Sequence, residues 1–188
     1  VSVVSDEKLD ALFSGGADIL ALSASVPGLN VESSNGRAAP RFYIRGLGNT
    51  DFDLAASQPV SVVMDDVVME NVTLKSFPLF DISQVEIYSG PQGTLFGRNT
   101  PAGIVNIISA RPTDTFEAFG ALTYGSYGSA SFEGAISGPI AGDTLLARAS
   151  FMYKRRDDWI DNAYTGPGAY SSEIGGFEDI AGRVQLLF

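Results

Sequence analysis

The chain has 188 residues, with 12 basic against 22 acidic side chains, a formal charge of −10, and neither cysteine nor histidine. That balance excludes a nucleic-acid partner, because neutralising phosphates needs lysine and arginine in excess. Without cysteine there are no disulfides or thiolate metal sites. Without histidine the commonest general base, the commonest metal ligand and any Ser-His-Asp arrangement are missing together.

A hydrophobic fraction of 45% is enough for a core. No run approaches the roughly 18 apolar residues of a transmembrane helix, although strands that cross a membrane need only alternate. No signal peptide is visible at Val1, so the expectation is a mature or trimmed product. Ser5, Asp6 and Glu7 read as a cap and acidic first turn for a helix through Lys8 and Leu12, ended by Gly15 and Gly16. Residues 18–22 predict a second short helix, stopped before Pro27 and Gly28. Residues 29–32 predict a strand and 33–37 a polar loop. The next strand is predicted over 41–46, with Phe42 and Ile44 on one face, followed by a loop over 47–59. Residues 60–64 predict a strand running into Asp65 and Asp66. A polar loop is predicted over 70–76 and a helical turn over 79–82.

Residues 84–109 read as a strand, a tight glycine-proline turn, one short helical turn, a loop and a second strand. Val85, Ile87, Val105, Ile107 and Ile108 are β-branched and suit a pleated, half-buried surface. Gly90, Pro91, Gly93, Gly97, Asn99, Pro101 and Gly103 crowd the connection and imply a short path back into the same sheet. Residues 1–112 thus read as one small α/β domain of short strands with helices at its start.

After Pro112 period two takes over. Ala130, Phe132, Gly134 and Ile136 alternate with Ser131 and Glu133. Leu145, Ala147, Ala149, Phe151 and Tyr153 alternate with Arg148 and Ser150, and Ile180, Gly182, Val184, Leu186 and Phe188 with Arg183 and Gln185. Residues 116–124 alternate less cleanly. Residues 113–188 are therefore predicted as antiparallel strands. Their lengths suit the tilted strands of a transmembrane barrel, but a soluble sandwich alternates in the same way, and periodicity alone leaves the two open. A short turn at 138–143 against a long, polar, glycine-rich stretch at 156–176 favours the barrel.

The stretch QVEIYSGPQGTLFGRNTPAGIVNIIS at 84–109 resembles the signature of the plug domain of TonB-dependent outer-membrane receptors. Residues 5–9 and 26–31 look like the plug's opening helices and V-P-G turn. Residues 40–48 look like its I-R-G strand, and 119–128 with 184–188 like the first barrel strands. The resemblance implies an α/β plug (1–112) inside a barrel of about 22 strands, of which 113–188 would be the first, incomplete part. It implies the outer membrane of a Gram-negative bacterium, with lipid around the strands. It also implies uptake of a ferric-siderophore or another large nutrient, and TonB as the partner that pulls on the plug. No enzyme activity, cofactor or metal site is expected. The alternative is a soluble periplasmic or secreted binding module with a plug-like α/β domain and a β-sandwich.

The chain departs from the family pattern in four ways. Asp66 stands where D-G-V has glycine, Ser89 where R-G-P has arginine, and Pro101-Ala102 where Ala-Gly is usual. The strands are also far short of a closed barrel, so a receptor fragment is expected. The resemblance casts Arg45 and Arg98 as arginines that dock onto barrel carboxylates, against a reading as solvated arginines. It places Asn35, Arg37, Glu70, Asn71 and Lys75 in outward-facing apices that meet the ligand, against ordinary loop polarity. Asp65 and Asp66, as strand neighbours, face opposite ways and cannot share an ion. Asp157, Asp158 and Asp161 read as a solvated charged loop. Residues 1–4 look extended and sit where the family has the plug's own first strand. The segment that TonB grips is therefore expected to be absent, and the chain as written not to be energised.

Overall fold

Where valine and isoleucine recur at alternate positions the chain is extended, and where two left-handed residues follow it reverses. The computed structural model describes residues 1–5, 7–13, 18–34, 36–51, 53, 56–142, 144–164, 166 and 172–188. Asp6, Gly15, Gly16, Asn35 and Asp143, and part of the expected long loop, lie outside the described residues. The chain divides into two units, Val1–Ala110 and Arg111–Phe188.

In the first unit the order is β1 (Ser2–Ser5), α1 (Glu7–Phe13), a 3₁₀ turn at Ile19–Ala24, β2 (Leu29–Glu32), β3 (Arg41–Ile44) and β4 (Leu47–Gly48). There follow β5 (Val60–Met64), β6 (Val67–Val68), a 3₁₀ turn at Val72–Ser76, β7 (Ile82–Ser89), α2 (Gly93–Phe96) and β8 (Gly103–Ser109). The main sheet runs β1-β7-β8-β5-β6, and a smaller sheet runs β2-β3-β4. Among the described strands of this unit only β5 and β8 are parallel, a pairing that needs a connection longer than a hairpin. Val62, Val85, Ile87, Val105 and Ile107 of the main sheet, Val31, Phe42 and Ile44 of the small one, and Leu9, Ile19 and Leu22 form one core. β1 pairs with β7 from Ser2 opposite Ile87 to Ser5 opposite Gln84, so the extended N-terminal residues belong to the main sheet of this unit, as expected.

Four local expectations change. The strand expected over 41–46 ends at Ile44, because Arg45 (φ 53°) and Gly46 (φ 80°) are both left-handed and turn the chain into β4. Asp65 (φ 46°) and Asp66 (φ 67°) do the same between β5 and β6. Positive φ at both central residues is the hairpin-turn pattern whose twist matches the flanking strands. The loop expected over 70–76 contains the 3₁₀ turn, started by the Asn71 Oδ1, which accepts from the Thr73 N–H at 2.9 Å. The helical turn expected over 79–82 is absent. Leu79 and Phe80 are buried in irregular chain, and left-handed Asp81 (φ 51°) leads into β7. The Asp18 cap of the first 3₁₀ turn is present, accepting from Leu20 at 2.9 Å.

The second unit has β9 (Glu117–Tyr124), β10 (Ala130–Ala141), β11 (Leu145–Arg156), a two-stranded ribbon of β12 (Ile160–Asp161) and β13 (Glu173–Ile174), and β14 (Phe177–Leu187). The large sheet is β14-β11-β10-β9, antiparallel throughout. Register puts Leu122, Phe132, Tyr153 and Ile180 in one row, and Ile136, Ala149 and Val184 in another, on the same face. Ser137, Arg148, Ser150 and Lys154 lie on the opposite face. The apolar face is the exposed one, and the buried one carries these polar residues beside Ala135 and Met152. Among the described residues no helix is long and apolar enough to cross a membrane.

Candidate functional site

A cleft of ≈ 370 Å³ opens in the first unit beside the start of β5, lined among others by Gln58, Ser61, Glu70, Asn71, Lys75 and Arg98. β5 supplies one wall. The Ser61 hydroxyl donates to the Asn99 carbonyl at 2.8 Å, the Ala102 N–H to the Pro59 carbonyl at 3.0 Å, and the Thr100 hydroxyl to the Gly97 carbonyl at 2.9 Å. The first two bonds fix the loop after α2 against the strand, and the third closes that loop on itself. The 3₁₀ turn capped by Asn71 supplies the other wall and carries Lys75 inward.

Lys75 is only 1% exposed, and its Nζ donates to the Val60 carbonyl at 3.3 Å. Burial pushes the ammonium pKa down from 10.5 to about 8, opposed in part by the negative charge of Glu70. Across the cleft mouth Arg98 forks onto Glu70, Nε to Oε1 at 3.1 Å and Nη2 to Oε2 at 3.0 Å. The hydrogen bonds and charge of the fork hold the Glu70 carboxyl below its ordinary range and raise Arg98. Both side chains are exposed, 48% and 78%, so the fork adds little to stability. It does tie two segments 28 residues apart in sequence.

Four of the residues singled out from sequence therefore meet in one cleft: Glu70, Asn71, Lys75 and Arg98. Arg98, expected beside Arg45 in the docking set, bonds within its own unit. Lys75, expected at an exposed apex, is buried. The polarity that made 70–76 read as a loop hides a 3₁₀ turn that carries one side chain inward. Arg37 does not line the cleft; its Nε lies 3.5 Å from the Asp18 carboxylate. Arg45 is exposed, its N–H donating to the Gly28 carbonyl at 2.8 Å. Asn35 is outside the described residues. Among the described residues no group of three side chains suited to a metal ion occurs.

The sequence reading missed three polar constellations. Arg41 donates to the Ser34 hydroxyl at 2.7 Å and lies 3.7 Å from Glu32. Asp65 accepts from the Ser109 N–H at 2.9 Å and from its hydroxyl at 2.7 Å, pinning the β5–β6 hairpin to the end of β8. Glu86 accepts from Gln84 (2.6 Å), the Tyr88 hydroxyl (2.8 Å) and Asn106 (3.0 Å), and the bond from its own hydroxyl to Glu86 raises the Tyr88 pKa. The period-two spacing of Gln84, Glu86 and Tyr88 was a signal for the last of these.

A family model described as "TonB-dependent Receptor Plug Domain" matches residues 1–104. The chain is 31% identical over 165 residues to the pesticin receptor of Yersinia pestis, covering 86% of this chain and 23% of that protein. It is 29% identical over 140 residues to the catecholate siderophore receptor Fiu of Escherichia coli K12, covering 71% and 17%. The crystal structure of the ferric yersiniabactin uptake receptor FyuA from Yersinia pestis superposes with a TM-score of 0.80 at 28% identity, over 98% of this chain and 28% of that one. The chain thus spans less than a quarter of the length of these curated relatives.

Proposed function

The chain belongs to the family of TonB-dependent receptor plug domains, and from that premise we propose that it serves in an outer-membrane receptor taking up a ferric-siderophore or another large nutrient. Residues 1–112 act as the plug and 113–188 as the first strands of the surrounding barrel, in the outer membrane of a Gram-negative cell. The observation that carries this reading is the second unit's sheet, whose exposed face is apolar and whose buried face carries polar and charged side chains. That pattern fits strands with lipid outside and a wet interior, and it is the reverse of the soluble sandwich. Similarity to siderophore receptors supports the ligand class.

The mechanism is binding followed by an energised rearrangement of the plug, with TonB as the partner and no covalent chemistry. Glu70, Asn71 and Lys75 meet the ligand, as do Asn35 and Arg37 of the sequence between β2 and β3. Arg45 docks onto a barrel carboxylate. In its favour, an arginine occupies the first left-handed position of a hairpin turn (φ 53°), where asparagine, aspartate or glycine is easier. Arg98 is the second member of the docking set; its guanidinium keeps the fork onto Glu70 and has three further donors for a carboxylate. β1 is committed to the sheet through β7, so TonB grips a segment other than β1.

The test is transport. Cells in which the gene encoding this chain is deleted should lose uptake of one radiolabelled ferric-siderophore, and the restored gene should recover it. Unchanged uptake of every ferric chelate and large nutrient offered, together with a purified chain that stays monomeric without detergent, would sink the reading in favour of the soluble module.

A further inference from the structure

The cleft beside β5 holds a charge that its own walls answer only in part. An ammonium carries three donors, yet Lys75 meets one acceptor, a carbonyl at 3.3 Å. The only carboxylate among the described residues lining the cleft is Glu70, and its two oxygens are taken by Arg98. The Glu70 and Arg98 charges cancel, which leaves the cleft carrying the Lys75 charge within a chain whose net charge is −10. The amide of Asn71 has its oxygen committed to Thr73, so it presents its N–H₂ group as a donor. The Gln58 side chain is buried in the same wall. Burying a cation without a charged partner is costly unless a partner arrives.

We infer that this cleft is a carboxylate-binding subsite, in which an incoming carboxylate is held by Lys75 and Arg98 with the Asn71 and Gln58 amides around it, and hence that the nutrient bears an exposed carboxylate. This rests on the reading above that this face of the plug meets the ligand. A single net positive charge with amide donors suits a planar monoanion better than a phosphate dianion. Arg98 contributes because a guanidinium has five donors, of which the fork onto Glu70 uses two. The cleft volume of ≈ 370 Å³ admits the carboxylate together with the part of the molecule that bears it. The charged groups lining the site are Glu70, Lys75 and Arg98, and burial keeps Lys75 poised near pH 8. The subsite is therefore loaded at neutral pH and fades as the ammonium loses its proton.

The test uses the whole chain in detergent micelles with carbon-13 lysine. Lys8, Lys75 and Lys154 are its three lysines, so each signal is assignable by substitution. The probe is propane-1,2,3-tricarboxylate, with its triamide and inorganic phosphate as controls. The expected result is saturable binding at pH 6.5 that moves the Lys75 signal alone and raises its titration midpoint. Affinity should fall about tenfold per pH unit once Lys75 deprotonates, as binding linked to one proton requires. Lys75→Met should abolish binding and Arg98→Gln weaken it several-fold. An unmoved Lys75 signal, equal binding by Lys75→Met, or an equal response to phosphate or the triamide overturns the inference. If the cells still transport a ferric chelate that has no free carboxylate, and that chelate occupies the cleft equally well, the inference falls while the receptor reading stands. If no nutrient is transported at all, the receptor reading falls on its own test.

Discussion

Replacing Lys75 by methionine should make the first unit more stable at pH 7, although it removes a charged, hydrogen-bonded residue. The pKa of Lys75 falls from 10.5 to about 8 because the ammonium is desolvated. At ~1.4 kcal/mol per pH unit, that displacement corresponds to ~3 kcal/mol against the folded, charged form. Methionine has similar length, fills the same space and carries no charge. It forfeits the bond to the Val60 carbonyl, which at 3.3 Å is long and contributes ~1 kcal/mol. The net gain is then ~2 kcal/mol. The sign of the pH dependence follows from the direction of the shift. Between about pH 8 and 10.5 the unfolded chain holds a proton that the folded chain has released, so stability of the natural chain rises with pH across that window. The methionine variant lacks this term. Its advantage should be complete below pH 8 and gone, or slightly reversed, by pH 10.5. Urea unfolding followed by amide exchange at Val62 and Val105, both fully buried in the first unit, measures it. Tryptophan fluorescence does not, because the single tryptophan, Trp159, belongs to the second unit. A variant no more stable than the natural chain at pH 7, or a difference that is the same at pH 7 and pH 10, refutes the reasoning.

Asp66→Gly should stabilise the first unit by ~0.5 kcal/mol in the same urea experiment, since Asp66 is left-handed (φ 67°) and glycine takes that conformation without steric cost. Gly103→Ala should cost at least ~3 kcal/mol, because φ there is 147° and an added Cβ would run into the Tyr88 carbonyl and the Ile44 side chain; a soluble, equally protected variant would count against the β7–β8 packing described. Arg98→Gln should leave the urea midpoint unchanged, the pair being exposed, while the Glu70 carboxyl, freed of its arginine, titrates at a higher pH than before. A carbon-13 titration of Glu70 that shows no movement would mean the fork is not formed.

In the first unit the strands were readable from β-branched alternation, and what escaped was set by single backbone conformations. Nothing in R-G or D-D at 45–46 and 65–66 separates a strand that continues from one that turns. The answer lies in positive φ at both residues, which tertiary packing selects and which arginine and aspartate only tolerate. The site divides the same way. Glu70, Asn71 and Arg98 were visible because they sit in polar segments that match a motif. Gln58 and Ser61 were invisible, since their part depends on a parallel pairing of β5 with β8 across some forty residues. Lys75 was visible as a residue but not as a buried one. Its burial comes from the capped 3₁₀ turn, and a lysine in N-V-T-L-K-S has every local reason to point at water.

For the second unit, alternation establishes two faces but not which one is dry. In water the answer is forced. A large apolar side chain left exposed forgoes ~1.5–3 kcal/mol, and a buried lysine or arginine costs several. This sheet makes both choices in the direction that water penalises. Leu122 is 81% and Val184 75% exposed, while Arg148 is 8% and Lys154 6% exposed. Mispacking does not account for it, because register is regular along β11 and β14 and broken only near Pro139 on β10. Both choices become favourable if the exposed face meets hydrocarbon and the charged face a polar interior. Lipid then imposes a further demand. β9 and β14 are the edges of this sheet, and unpaired backbone N–H and C=O groups are not tolerated in hydrocarbon. In that setting both edges would need hydrogen-bonding partners of their own. The same exposed rows of Phe132, Phe151 and Val184 that identify the lipid face would drive edge-to-edge association wherever lipid and those partners are absent.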